Sequence, residues 1–136
     1  MTPQELMHHF DRGTLDPQGF THRDHGRVAW HALEEADYFT ASLRVARGLK
    51  TLAQAAGVPE KFNATVTHVF LSQIAERRLA SSDPNAEAFL DANPDVLRGD
   101  VLQAQYSQAR LSCMAAQSVA LLPDMPLASG ATAKLR

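Results

Sequence analysis

The sequence has very little cysteine: Cys113 is the only one among 136 residues. A single thiol excludes an internal disulfide, a Cys-x-x-Cys redox pair and any metal site made of cysteines alone. Cys113 lies in the mostly apolar stretch Leu111–Ala115, so we expect a small buried side chain rather than a nucleophile. A chain of this length can bury a sufficient core without disulfides, which predicts one domain.

The sequence also has no excess of charge of either sign, since 13 basic residues face 15 acidic ones for a net charge of −2. This balance argues against a nucleic-acid partner and against a polybasic membrane anchor. No apolar run approaches the roughly 20 residues of a membrane span, and the first residues lack the pattern of a signal peptide. We therefore expect a cytoplasmic protein of bacterial style with no membrane partner.

Strand patterns, internal repeats and glycine-rich phosphate loops are missing as well. No segment alternates β-branched and polar residues, and Gly48, Gly57 and Gly99 are isolated from one another. Helical periodicity runs through most of the chain instead. The prediction is an all-α fold: a compact bundle of four to five helices over residues 1–120, with an extended or disordered tail over 121–136.

Helix boundaries follow from capping residues. Thr2 with Glu5, and Thr21 with Asp24, have the spacing of capping boxes at two helix starts. Leu33 and Phe70 are predicted core residues. The main helices are expected near residues 3–12, 21–36, 40–56 and 59–80, with shorter ones beyond 85 and a last helix capped by Ser107.

Two histidines stand out in the second predicted helix. His22 and His25 are three residues apart, and the helical phase puts them on the side of Ala29, Ala32 and Ala36. Neutral imidazoles with this spacing suit a divalent metal (Zn, Fe, Cu or Ni) or general-base catalysis. The alternative is that both are hydrogen-bonded structural histidines at a buried helix start.

The fourth predicted helix offers polar neighbours for the histidine pair. Asn63 and Gln73 lie on its apolar face with Thr67 at the edge, so a buried amide there needs a polar partner. Asn63 is alternatively a local helix cap. We expect Asn63 and Thr67 to bind a ligand beside His22 and His25, with Tyr106 or Arg110 closing the pocket.

Two segments resemble a family of small uncharacterised bacterial helical proteins. Residues 20–30, FTHRDHGRVAW, are similar to its opening motif F-x-H-x-x-H-x-R-x-A-W. Residues 61–67, KFNATVT, are similar to its second motif, in which the family has a third histidine where this chain has Asn63. The resemblance implies a histidine site that is weakened for metal binding in this chain.

Two hypotheses about function remain open from the sequence. The first is a small metal- or histidine-dependent enzyme or binder that acts on a small molecule, with His22 and His25 as catalytic residues or metal ligands. The second is a non-enzymatic helical interaction or ligand-binding protein, for instance a homodimer, in which the histidines are structural.

Overall fold

The structure is a computed structural model that describes residues 1–126. This part of the chain is all-α and contains no strand, which confirms the predicted fold class. Four longer helices are followed by five short ones. The helices are α1 (Pro3–Arg12), α2 (His22–Glu35), α3 (Tyr38–Ala55), α4 (Ala64–Leu79), α5 (Ala86–Ala92), α6 (Pro94–Arg98), α7 (Asp100–Gln105), α8 (Gln108–Ser112) and α9 (Met114–Ser118).

The capping boxes at the first two long helices are confirmed. At α2 the Thr21 hydroxyl accepts from the Asp24 amide at 3.1 Å, and the Asp24 carboxylate accepts from the Thr21 amide at 2.9 Å. The same reciprocal pair joins Thr2 and Glu5 at α1. Because these bonds satisfy amides that have no partner inside the helix, they determine where each helix begins.

Helix α4 begins later than predicted. Pro59–Lys61 forms a separate 3₁₀ turn, Phe62 is extended, and Asn63 is the N-cap whose side chain accepts from the Val66 amide. The proline suits the first position of the 3₁₀ turn. Because the Asn63 side chain caps the α-helix, α4 begins at Ala64, five residues after Pro59.

The core is formed by the six helices α1 through α6, which pack around large apolar side chains. Leu33 is 8% exposed, as a core residue should be, but Phe70 is only partly buried. Leu71 and Ile74 of α4 are fully buried, whereas Phe70, one turn before Ile74, only packs against the edge of the core, so Phe70 is less buried than predicted. The largest fully buried side chains are Phe10, Phe89, Leu71, Ile74, Leu90, Val28, Val45, Val96 and Thr65.

An ion-pair network fixes the outer side of α2 against α5. The Glu87 carboxylate lies 2.8 Å from Arg27 Nε and 3.1 Å from Arg23 Nε. Hydrogen bonds from Arg27 and then Arg23 lower the pKa of Glu87 to about 2. With its charged side held in this way, α2 presents its other side, which carries His25, toward α3 and α4.

The last part of the described chain departs from the prediction. The expected final helix is broken at Cys113 into α8 and α9, although Ser107 does cap α8. The first part of the predicted tail, residues 121–126, has no regular structure but is anchored: the Asp124 carboxylate accepts from the Ser107 hydroxyl at 2.6 Å. Residues 127–136 lie outside the described part. Among the described helices, none has the length and apolar character that crossing a membrane requires.

Candidate functional site

A pocket of 520 Å³ lies between the start of α2, the second half of α3 and the start of α4. We call it the His25 pocket, after the imidazole in its wall. Its polar lining includes His22, His25, Asn63, Thr67 and Lys61. Most of the remaining wall is apolar and includes Phe20, Val45, Leu49, Leu52, Val66 and Phe70. Pockets of about 300–1,000 Å³ with a mainly apolar lining and few polar groups are typical of small-molecule sites.

Four of the six residues predicted for the site line this pocket together: His22, His25, Asn63 and Thr67. They come from the start of α2 and the start of α4, which are about 40 residues apart in the sequence. The functional roles assigned to these residues stay predictions.

His22 does not point into the core. Its side chain is exposed, and Nε2 is hydrogen-bonded to the Leu97 carbonyl oxygen of α6. Because a carbonyl oxygen only accepts, Nε2 carries the proton and Nδ1 is left as the acceptor of the neutral ring. His22 is the first residue of α2, and the helical phase alone did not show that this position is exposed.

His25 is the inward member of the pair. Its ring packs edge-on against Phe20 at 4.9 Å and lies 5.8 Å from the His22 ring, measured between centroids. Its Nδ1 is buried and has no hydrogen-bond partner among the described residues. Burial, followed by the neighbouring His22 ring, lowers the pKa of His25 from 6.5 to about 4. His25 is therefore a neutral imidazole at pH 7.

Asn63 acts as a cap rather than as a partner of the histidines. Its Oδ1 accepts from the Val66 amide at 3.0 Å, and its Nδ2 donates to the Leu111 carbonyl at 2.8 Å. The expectation that the imidazole nitrogens face the Asn63 amide was wrong, since His22 binds Leu97 and His25 Nδ1 has no partner. The cap alternative describes the amide correctly, and only part of the Asn63 surface reaches the pocket.

Tyr106 and Arg110 do not close the pocket, which corrects their predicted place. The Tyr106 hydroxyl donates to the Leu121 carbonyl at 2.8 Å, and Arg110 Nε donates to the Leu122 carbonyl at 2.7 Å. Both side chains hold the segment that follows α9. Their position depends on how this segment folds back, for which the helical pattern contains no signal.

The described residues do not fit a resident metal ion. They contain no group of three or more histidine, cysteine, aspartate or glutamate side chains that could hold one. His22 and His25 supply two ligands at most, whereas catalytic zinc sites have three protein ligands. His22 and His25 alone therefore do not make up such a site.

Helix α3 and Lys61 are the parts of the site that the sequence analysis missed. Leu49, Leu52 and Ala53 of α3 form one wall of the pocket, whereas the predicted site joined only the histidines to residues of the fourth helix and beyond. The signal was the width of the apolar face of α3, which is more than one neighbouring helix can cover.

Comparison of the chain with family models, with curated proteins and with solved structures finds no match.

The low pKa of His25 leads to a prediction about pH and stability. The unfolded chain binds the His25 proton near pH 6.5 and the folded chain only near pH 4. Between these values the unfolded state holds more protons, so stability falls as the pH drops from 6.5 toward 4. Urea denaturation of His25→Leu should show a stability gain over wild type that is about 2 kcal/mol larger at pH 5 than at pH 7.

The control for this prediction is His8→Leu, which removes a histidine from an exposed position of α1. The carboxylates also titrate between pH 4 and 7, but they are the same in wild type and both variants. A difference between the pH profiles of stability therefore reports the replaced histidine. Parallel pH profiles for wild type and His25→Leu would show that His25 protonates freely in the folded state.

Proposed function

We propose that this protein binds a small, largely apolar molecule in the His25 pocket. One observation carries the proposal: a 520 Å³ apolar pocket has in its wall a neutral imidazole with a buried nitrogen that no group of residues 1–126 satisfies. An unsatisfied buried polar group costs about 1–3 kcal/mol, and a ligand group that pairs with it recovers part of this cost. Both hypotheses from the sequence include the binding of a small molecule, and this observation supports that shared part of them.

The protonation of His25 supports binding more than catalysis. A general base is most effective when its pKa lies near the working pH. With a pKa of about 4, His25 is a weak base, although it is always available as a neutral hydrogen-bonding group at pH 7. The proposal therefore assigns His25 to ligand recognition and includes no proton transfer.

Filling the pocket tests the proposal. Ala53 lines the pocket from α3, so Ala53→Phe would place a ring in the space that the ligand needs. We expect this variant to bind the neutral dye Nile red about tenfold more weakly than wild type, because about 1.4 kcal/mol of apolar contact is lost. Dye fluorescence measured against protein concentration gives both affinities.

Ala55→Phe is the matched control. Ala55 belongs to the same last turns of α3, is exposed and does not line the pocket. This variant should bind Nile red like wild type. If wild type binds no dye, or if both phenylalanine variants bind it equally well, the pocket is not a binding site and the histidines are structural. Thermal melting checks that each variant is folded.

A further inference from the structure

The ionisable side chains that line the His25 pocket are all basic. Among the described residues, no aspartate or glutamate lines it, and its ionisable side chains are His22, His25 and Lys61. Glu60 precedes Lys61 in the chain but does not belong to the lining. A cationic ligand would therefore find no counter-charge in the lining, whereas an anionic one finds an ammonium group and two imidazoles.

Lys61 is the charged group best placed for an anion. It ends the 3₁₀ turn before α4, lines the pocket and is exposed, so it lies at the rim. It takes part in none of the ion pairs formed by the described residues. A second ammonium, that of Lys50, lies 5.2 Å from the centroid of the Phe62 ring, and Phe62 itself lines the pocket.

The interior of the pocket requires an apolar ligand body. Val45, Leu49 and Leu52 from α3 line the space together with Val66 and Phe70 from α4. Burying each methylene group of an alkyl chain against such a wall contributes about 0.8 kcal/mol. Polar ligands such as sugars would leave hydroxyl groups unpaired against these side chains, at a cost for each group.

We infer that the ligand is an amphipathic monocarboxylic acid, with its apolar body between α3 and α4 and its carboxylate at the rim beside Lys61. This inference rests on the proposed function, because it names the class of molecule that the His25 pocket takes. One lysine matches one negative charge, and a charge-assisted hydrogen bond from its ammonium gives the head group a defined position. A phosphate of higher charge would need more cationic side chains than line the pocket.

Three eight-carbon molecules that differ only in the head group test the inference. Octanoate, 1-octanol and octylammonium are titrated at pH 7 against the full chain loaded with Nile red, and loss of dye fluorescence reports displacement. Octanoate should displace the dye at about a three- to tenfold lower concentration than octanol, and octylammonium should be the weakest. Equal potency of octanoate and octanol, or stronger binding of octylammonium, would overturn the inference.

Lys61 variants locate the charge. In Lys61→Gln the preference for octanoate over octanol should disappear while octanol binding is unchanged, and Lys61→Arg should keep the preference. Arg12→Gln removes one positive charge from an exposed residue outside the lining and should behave like wild type. A preference that survives in Lys61→Gln would remove Lys61 from the inference. Failure of all three molecules and of Nile red to bind wild type would instead contradict the proposed function itself.

Discussion

Replacing Phe89 by alanine is expected to lower the free energy of unfolding by about 3–5 kcal/mol, the usual loss for a fully buried aromatic ring. Phe89 lies in α5 and is 0% exposed. The substitution removes the apolar burial of the ring and leaves a cavity that the closely packed surroundings cannot fill. Since domains of this size are stable by about 5–15 kcal/mol, the variant should be near the limit of folding. Urea denaturation followed by circular dichroism measures the loss.

Phe70→Ala is the matched comparison for this prediction. Phe70 is the same residue type, but it is partly buried and forms part of the wall of the His25 pocket. Its removal enlarges an existing space rather than opening a new one, so the loss should be clearly smaller than for Phe89→Ala. Equal losses for the two variants would mean that Phe70 belongs to the core, as the sequence analysis predicted.

Gly48→Ala is expected to destabilise the protein by about 2–3 kcal/mol through overpacking. A Cβ atom at Gly48 would lie 2.1 Å from Cζ of Phe10, far inside contact distance. Phe10 is only 2% exposed and its ring stacks on Phe20, so it has little room to move. The better helix propensity of alanine recovers about 1 kcal/mol at most, and the steric cost exceeds it.

A double variant tests the physical reason for this loss. In Phe10→Leu the far end of the ring is absent, so adding Gly48→Ala to it should cost at least about 1 kcal/mol less than in wild type. Gly19→Ala, where a Cβ would meet nothing within 4 Å, is the control and should stay within about 0.5 kcal/mol of wild type. Additive losses in the double variant would show that Phe10 and Gly48 do not compete for the same space.

The local sequence predicted the helices well where a side chain satisfies the backbone of its own helix. Thr2 with Glu5, and Thr21 with Asp24, act within four residues, so their effect can be derived without any knowledge of the fold. The same local capping is what Asn63 performs at α4. The start of α4 was predicted at Pro59 because proline is common at the first position of a helix. In the structure Pro59 begins a separate 3₁₀ turn, and the α-helix begins only at Ala64.

The candidate site was only partly predictable. Helical periodicity assigned His25 to the inner side of α2, but the expected pairing of the histidines with Asn63 of α4 does not form. The exposed position of His22 and its bond to the Leu97 carbonyl depend on where α6 packs, 75 residues further along the chain. Tyr106 and Arg110 were misplaced for a similar reason, because their partners are carbonyl groups of the segment after α9.

The sequence by itself determined the all-α class, the starts of α1 and α2, and the charged and apolar sides of α2, because these depend on contacts between residues a few positions apart. Only the tertiary structure decided how deeply Phe70 and Leu71 of α4 are buried, that α3 forms a wall of the His25 pocket, and that His25 is neutral. The physical reason is that burial and desolvation arise from neighbours that are distant in sequence. Burial of the His25 ring, which packs against Phe20, and then the neighbouring His22 ring lower its pKa to about 4. The identity of residue 25 alone does not predict this value.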